Sequence, residues 1–432
     1  MTLKQNYRSP HKLKENTYLL GWLLWFVAAL FYAYEFFHRV APSLLTAQLR
    51  EFYDLNDKQL GNLGAMYLYA YALFQIPAGI LIDRHGPKLW LVVASLIVTV
   101  GSFCFTYSDD YLIACLSRFL IGAGSAFAFV GCLKIGAQWL PSSSFPLVVG
   151  LTNFLGTLGA LSGGAPFAHL INYSGWQYAL LQTSLLGVAI TLCLILFLKP
   201  SPKFQEDTTP EKGAWLKGLK LVLSNRIIWP LTFYGSLLVV PIAALPEMWG
   251  PEYLNITYDL PKTKAASLTH TIFVGTALGG PIIGFIATQT QNYFKVMLPA
   301  TLGALILLSL FLYIPHKSFG YVYPILFFYG LLTANMLLCF SYIKQIVPSW
   351  AQGTSIAFMN MVIMLFGGLA QYGIGWLLDR FRSQHEGIYW ISDYHKALSL
   401  LPIGLLIAFL IAFFLRKRIK TVSEMNANIT RG

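Results

Sequence analysis

Charged residues are scarce in this chain. Lys, Arg, Asp and Glu together make up 11% of the 432 residues, against roughly 25% in soluble domains. So few charges cannot cover a surface that faces water, which excludes an ordinary soluble enzyme. Hydrophobic residues make up 56% of the chain, which excludes a disordered protein. The alternating pattern of a membrane β-barrel is also missing. The composition therefore predicts an all-α membrane protein with many spans.

Several catalytic signatures are missing as well. The five cysteines form no CxxC pair and all fall in apolar segments, so we expect free thiols and neither a metal site nor a cofactor. A phosphate-binding GxxxxGK[ST] loop is lacking, which argues against transport driven by ATP. Neither an HExxH pair nor a Ser/His/Asp constellation is recognisable. The sequence therefore predicts that the protein is not an enzyme.

Long uncharged segments are what the sequence has instead. A transmembrane helix needs about 20 apolar residues, and the gaps between charges yield twelve such spans. The longest polar stretch contains Pro200, Pro202 and Pro210 and leaves six spans on each side. The predicted organisation is a tail (1–17), a six-helix bundle (18–198), a linker (199–226), a second six-helix bundle (227–415) and a tail (416–432).

The basic residues indicate the orientation. With a cytoplasmic N-terminus, 19 of the 30 Lys and Arg residues fall on the cytoplasmic side, eight fall on the opposite side, and Arg39, Arg118 and Lys134 fall within spans. This bias predicts that both termini are cytoplasmic. The net charge of +12 then faces an anionic lipid leaflet, and binding to nucleic acid need not be invoked.

An internal repeat relates the two bundles. Pro42 matches Pro246 at an offset of 204, Gly79 matches Gly284 at 205, and the pair at 163–164 matches the pair at 367–368 at 204. Three matches at nearly one offset, in corresponding spans, predict pseudo-symmetric halves. Transporters built in this way commonly bind their substrate between the halves, near the middle of the membrane.

The loop between spans two and three carries the sharpest local pattern. Gly79 and Asp83 lie one turn apart on one helix face, and Arg84 and Lys88 follow around a Gly-Pro turn. The glycine would let another helix approach closely, and the aspartate would face the positive end of that helix. The pattern resembles the signature loop of the major facilitator superfamily, in which the aspartate helps to latch the outward-facing state. The second half has Thr288 at the position of the aspartate.

The resemblance extends to span four and to the whole chain. Arg118, Gly122 and Gly124 resemble the R-x-x-x-G-x-G pattern of the superfamily, and segments 34–42 and 118–141 resemble a bacterial branch related to lysosomal dipeptide transporters. The resemblance implies a monomeric secondary active transporter in the bacterial inner membrane. It also implies alternating access, with spans one, four, seven and ten around a central cavity.

Charges inside the spans are the candidate site, because a charge at a helix centre costs about 2.5–3.5 kcal/mol and is kept for function. Glu35, His38 and Arg39 share one face of span one, where Glu35 and Arg39 can pair. We expect Arg39 and His38 to bind substrate and Glu35, with Glu247 on span seven, to carry a coupling proton. The alternative is that this group marks the outer end of span one.

Span four carries two further cations whose location the sequence leaves open. Arg118 and Lys134 either add positive charge to the substrate site or extend to the membrane surface. One acid facing one base favours a small carboxylate or zwitterionic solute. A polycarboxylate siderophore and a dipeptide are the alternatives within transport, and a membrane sensor that binds ligand without moving it is the alternative of a different class.

Overall fold

A computed structural model describes residues 15–141, 144–200, 214–290, 292–314, 319–382 and 391–429. Within these ranges, twelve helices are long and apolar enough to cross a membrane, which confirms the predicted number and the all-α class. Numbered as spans 1 to 12, they are Tyr18–Leu44, Asp57–His85, Pro87–Tyr107, Tyr111–Trp139, Leu147–Ser174, Trp176–Phe197, Ile228–Tyr258, Lys262–Thr290, Tyr293–Tyr313, Val322–Ile343, Ala351–Phe381 and Ile391–Lys417.

Each bundle consists of two successive groups of three spans, and the first span of every group, numbered 1, 4, 7 and 10, contains an irregular turn. Span 1 passes from an α-helix into a 3₁₀ turn at Ala41–Leu44, and span 7 contains a π-helical turn at Leu245–Trp249. Span 4 is interrupted at residues 126–127, and span 10 contains a 3₁₀ turn at Ala334–Met336. Because proline has no N–H to donate to the preceding turn, Pro42 and Pro246 account for the first two irregularities.

The two bundles repeat the same backbone contacts. A Cβ atom on Gly122 of span 4 would lie 2.1 Å from the carbonyl oxygen of Tyr67 on span 2. A Cβ atom on Gly330 of span 10 would lie 2.1 Å from the carbonyl oxygen of Ile272 on span 8. The glycines therefore let equivalent pairs of helices meet at backbone distance. The architecture is two pseudo-symmetric six-helix bundles, as predicted.

The bundles meet mainly in one half of the molecule. We call the end where span 2 begins the Asp57 end, and the opposite end, where span 2 finishes, the Asp83 end. Span 2 crosses span 11 near the Asp57 end, where a Cβ atom on Gly61 would lie 2.5 Å from the carbonyl oxygen of Gln371. Spans 5 and 8 also meet there, through Gly164 and His270. The contacts that join the bundles thus lie between the central charges and the Asp57 end.

The connection between the bundles belongs structurally to the second one. Ala214–Ser224 forms a helix that packs against span 11, and Gly218 lies close to Thr354 of that span. The indole of Trp229 on span 7 donates a hydrogen bond of 3.1 Å to the carbonyl oxygen of Leu223. Residues 201–213 of the predicted linker, 1–14 of the first tail and 430–432 of the second tail lie outside the described residues.

Candidate functional site

Four charged side chains from three spans meet inside the protein. Glu35 and Arg39 come from span 1, Arg118 from span 4 and Glu247 from span 7. Their exposed fractions are 0%, 7%, 2% and 1%, so all four are withdrawn from water. Arg118 therefore does not extend to the membrane surface. Glu35 and Arg39 likewise do not lie at the boundary between membrane and water. We call these four residues the charged cluster.

The principal ion pair of the cluster joins the two bundles. The Nε atom of Arg39 lies 2.9 Å from Oε1 of Glu247. The spacing along span 1 indicated that Arg39 can pair with Glu35, but in the structure the ion pair is with Glu247. A residue four positions away shares the helix face, but the carboxylate of span 7 approaches the guanidinium from the opposite bundle and forms the ion pair instead.

The π-helical turn of span 7 places Glu247 in this position. Pro246 interrupts the hydrogen bonding of the preceding helix, and the five residues of the turn are all buried. π-helical turns often occur at functional sites because the widened turn redirects its side chains. The turn is adjacent in space to the 3₁₀ turn that follows Arg39 in span 1. The two proline-containing turns found by the sequence repeat therefore flank the ion pair.

Among the described residues, Glu35 is hydrogen-bonded by a tyrosine and forms no ion pair. The hydroxyl of Tyr67 on span 2 donates a short hydrogen bond to Oε2 of Glu35, and Oε1 has no hydrogen-bond partner within the described ranges. The aromatic ring of Tyr67 faces Arg118, with the guanidinium carbon 5.0 Å from the ring centroid. One side chain thus contacts both the acid and the second cation.

Arg118 is a buried cation that contacts two neutral groups, the backbone carbonyl of His38 and the ring of Tyr67. Its Nη1 atom donates a hydrogen bond of 2.7 Å to the backbone carbonyl of His38, and its Nε atom finds no partner in the part of the chain that is described. The imidazole of His38 packs against Tyr34, with centroids 4.5 Å apart. The structure thus brings His38 beside Arg118, where it contributes its backbone carbonyl.

The formal charges of the cluster balance when both acids are ionised. Arg39 and Glu247 cancel directly as an ion pair. Glu35 and Arg118 cancel only across Tyr67, since among the described residues neither makes an ion pair. Isolated buried charges are costly. Protonation of Glu35 or arrival of an anion at Arg118 would each change this balance by one charge.

The structure places Lys134 away from the charged cluster. Its Nζ atom lies 2.9 Å from Oδ1 of Asp83, and both side chains are partly exposed. Lys134 does not join the charged cluster in this conformation, because its side chain pairs with Asp83 in the last turn of span 2. Its role at the substrate site stays a prediction. Within the described part of the chain, Asp83 thus contacts its own bundle.

The predicted latch loop has the expected turn but not the expected packing. Gly86 has a φ angle of +84°, a conformation that favours glycine, and Pro87 begins the next helix. Arg84 is exposed and Lys88 half-buried. A Cβ atom on Gly79 would meet nothing within 4 Å. Among the described residues, no neighbouring helix approaches Gly79 in this conformation, so the latch of the outward-facing state stays a prediction.

Polar groups that the sequence analysis missed join the bundles at the Asp57 end. Arg50 lies 2.6 Å from Asp57 and 2.6 Å from Glu252, and Lys262 donates a hydrogen bond of 2.9 Å to Gln48. Tyr67 was also missed as a ligand of Glu35. The Arg50–Glu252 and Lys262–Gln48 pairs link residues 202 and 214 positions apart, so no local spacing in the sequence predicts them. We call Arg50, Asp57 and Glu252 the end network.

The twelve spans, the two bundles and the charged cluster between them define the chain as a membrane transport protein. It belongs to the Major Facilitator Superfamily, whose sequence profile matches residues 17–371. It is 25% identical over 393 residues to the "Probable sulfoacetate transporter SauU" of Cupriavidus necator, covering 85% of this chain and 89% of that protein. It is 23% identical to the "Hexuronate transporter" of Bacillus subtilis over 60% of this chain and 63% of that protein.

Solved structures of other proteins have the same fold. A bacterial homologue of the human lysosomal transporter Spinster, in an inward-facing and unoccupied conformation, matches with a TM-score of 0.73 at 15% identity, over 92% of this chain and 97% of that one. A D-xylose–proton symporter matches with a TM-score of 0.68 at 14% identity, over 91% and 97%. The protein is therefore a multi-pass secondary transporter, and the prediction that it is not an enzyme is confirmed.

Proposed function

We propose that the protein moves a small monovalent anion, carrying a carboxylate or a similar acidic group, together with one proton. The observation that carries the proposal is the separation of Glu35 from Arg118 by Tyr67. Arg39 and Glu247 neutralise each other, so Arg118 is the cation that an anionic solute would compensate. We assign Arg118 as the main anchor, with Arg39 and His38 beside it.

Proton coupling follows from the charge balance of the charged cluster. An anion bound at Arg118 leaves the ionised carboxylate of Glu35 without compensation in a buried site, which is costly. Protonation of Glu35 removes that cost, so the proton and the anion bind more readily together than apart. Release of one then favours release of the other. Glu247 is a second carboxylate on this path, because its ion pair with Arg39 crosses between the bundles.

The relatives support an acidic solute. Three of the transporters that resemble this chain are named for sulfoacetate, hexuronate and gallate, all of which carry an acidic group. A dipeptide would bring a positive charge of its own to a cluster that already contains two guanidinium groups. A polycarboxylate siderophore would bring more negative charge than Arg118 alone can compensate. Both remain alternatives that the measurement below separates.

The direction follows the predicted topology. With both termini in the cytoplasm, the Asp57 end is outside and the Asp83 end inside. The bundles are then joined on the outside, as expected for a state that loads or releases solute from the cytoplasm. We propose inward symport across the inner membrane by a monomer, driven by an inward proton gradient.

The test is solute uptake into proteoliposomes containing the purified full-length protein. An imposed pH gradient, inside alkaline, should drive accumulation of labelled glucuronate or gallate, which are monoanions at neutral pH. A membrane potential set with potassium and valinomycin then reports the net charge moved. Transport of a monoanion together with one proton is electroneutral, so its accumulation should not depend on the membrane potential. A dipeptide with one proton should respond to an inside-negative potential, and a tricarboxylate should respond to the opposite one.

Empty liposomes and the Arg118→Ala variant are the controls for leak. Accumulation of a solute under a pH gradient but with a strong dependence on potential would contradict the charge assignment. Ligand binding detected by thermal shift, without flux of any of these solutes, would favour the membrane sensor over a transporter.

A further inference from the structure

Span 11 repeats the latch pattern of span 2 at the opposite end of the molecule. Span 2 finishes with Gly79, three residues, Asp83 and Arg84, and span 11 finishes with Gly375, three residues, Asp379 and Arg380. The two spans run antiparallel against each other, because residues 57 to 69 of span 2 pack on residues 379 to 367 of span 11. The two copies of the pattern therefore lie at opposite ends.

The copy on span 11 is engaged in this conformation. Oδ1 of Asp379 accepts a hydrogen bond of 2.7 Å from the backbone N–H of Asp57, and Oδ2 accepts one of 2.7 Å from that of Lys58. These are the first two N–H groups of span 2, which have no partner within their own helix. The carboxylate also faces the positive end of the helix dipole. One side chain thus fastens the second bundle to the first.

Two glycines make this engagement possible. A Cβ atom on Gly375 would lie 2.2 Å from the carbonyl oxygen of Asp57, and one on Gly61 would lie 2.5 Å from the carbonyl oxygen of Gln371. Both distances are too short for any side chain. Gly61 is the fifth residue of its helix, which begins at Asp57, and Gly375 lies one turn before Asp379.

The Asp83 end has the same four features: an aspartate, a glycine one turn before it, the start of a span in the facing bundle, and a glycine at the fifth residue of that span's helix. There the features are disengaged. Gly353 is the fifth residue of the helix that begins at Ser349, and Gly79 lies one turn before Asp83. A Cβ atom on either Gly353 or Gly79 would meet nothing within 4 Å. Asp83 pairs with Lys134 of its own bundle instead.

We propose that Gly375 and Asp379 form a counter-latch that holds the Asp57 end closed, as the mirror image of the latch formed by Gly79 and Asp83. Each latch would consist of an aspartate on the start of the partner span and two glycines at the crossing. The two cannot be engaged together, because tilting the bundles to close one end separates them at the other. The ratio of the two conformations would then depend on the difference between the two latches.

The experiment measures the width of each end by the distance between two spin labels. Cysteines replacing exposed Glu51 and Lys264 report on the Asp57 end, and cysteines replacing exposed His85 and Lys295 report on the Asp83 end. The full-length protein is reconstituted in lipid nanodiscs. Protein without introduced cysteines, labelled in the same way, gives the background from the five native cysteines.

Asp379→Asn should open the Asp57 end and close the Asp83 end, with a change of about tenfold in the ratio of the two states. A hydrogen bond to a charged acceptor contributes enough for a shift of that size. Asp83→Asn should shift the ratio in the opposite direction, and the double variant should lie between the two. Asp54→Asn, an exposed aspartate at the Asp57 end, is the matched control and should leave the ratio unchanged.

The glycines give a test that does not alter charge. Gly375→Ala should open the Asp57 end, whereas Gly79→Ala and Gly353→Ala should favour the present state by obstructing closure of the other end. Gly373→Ala is the control, because a Cβ atom there meets nothing within 4 Å. Wild-type distances in both Asp379→Asn and Gly375→Ala, with the proteins monodisperse, would overturn the proposal. An equal response to Gly373→Ala would overturn it as well.

Discussion

The two bundles share a backbone but not a chemistry. Glu35, His38 and Arg39 of span 1 have Val239, Ile242 and Ala243 at the repeat-related positions of span 7, at the offset of 204 that relates Pro42 to Pro246. On the fourth and tenth spans, the offset of 208 that relates Gly122 to Gly330 relates Arg118 to Leu326. The first bundle thus provides three of the four residues of the charged cluster, and the second provides Glu247.

This difference assigns different tasks to the bundles. The first bundle contains Glu35, both cations and Tyr67, which contacts Glu35 and Arg118. Solute and proton would therefore bind mainly there. The second bundle contributes one carboxylate, that of Glu247, which forms the ion pair with Arg39. Glu247 is not one of the repeat-related positions compared above. Within the charged cluster, the second bundle therefore meets the first through one ion pair. A pseudo-symmetric backbone can remain while the side chains of one half lose the charges.

The largest effect is expected when Arg118 is made to resemble its counterpart. Arg118→Leu copies Leu326 and removes the cation that we assign as anchor, so affinity for the anionic solute should fall at least about 100-fold. Isothermal titration with the solute identified in the uptake panel measures this. Lys134→Leu removes a cation from the same span but outside the charged cluster, and it should leave affinity within threefold. Equal losses in both variants would contradict the assignment.

The next effect concerns the proton. Glu35→Gln copies the neutral character of Val239 while it keeps the shape of the side chain and a partner for Tyr67. It should abolish accumulation driven by a pH gradient while leaving exchange of labelled for unlabelled solute. Counterflow and net uptake in the same proteoliposomes separate the two activities. Glu51→Gln, at an exposed position outside the spans, should behave as the wild type. Full pH-driven accumulation in Glu35→Gln would assign the proton to Glu247 or to another group.

A third, smaller effect tests the shared backbone. Gly122→Ala and Gly330→Ala each place a methyl group 2.1 Å from a carbonyl oxygen of the neighbouring helix, and each should destabilise its bundle by about 1–3 kcal/mol. Thermal unfolding of the purified protein compares them. Gly284→Ala, whose Cβ atom meets nothing within 4 Å, should unfold as the wild type does. Since Tyr67 lies beside Gly122, the first variant should also lose transport, and equal transport losses would contradict the proposed asymmetry.

The smallest effect is expected at the surface of the first bundle. Lys134→Gln removes an ion pair with Asp83 that is partly exposed, and such pairs are worth about 0–1 kcal/mol. The second bundle has Thr288 in place of Asp83 and so lacks the equivalent carboxylate. The spin-label ratio at the Asp83 end should change less than about threefold. A change as large as that of Asp83→Asn would mean that the lysine itself controls the latch.

The fold could be predicted because lipid imposes simple rules. Uncharged segments long enough to cross a membrane gave the twelve spans, and Pro42 and Pro246 marked the irregular turns of spans 1 and 7. The presence of Glu35, Arg39, Arg118 and Glu247 at the site followed from the cost of burying charge. Each of these inferences uses one property of one segment.

The partners in the site could not be predicted because they depend on how helices cross. Spacing along span 1 placed Glu35 and Arg39 on one face, but the choice between Glu35 and Glu247 as the partner of Arg39 was made by span 7. The partner of Lys134 could not be predicted either, because it depends on how the end of span 2 places Asp83 beside span 4. Asp379 did have a local signal, since its glycine and aspartate repeat the spacing of Gly79 and Asp83.

The helix Ala214–Ser224 has a consequence for how the chain could be divided. Because it packs on span 11 and is bonded through Trp229, it moves with the second bundle. The 13 residues between 200 and 214 then form the covalent connection, which can reach at most about 45 Å when fully extended. Cutting the chain there removes no contact described above. Two co-expressed fragments, one ending near residue 200 and one beginning near residue 214, should therefore reassemble into a working transporter.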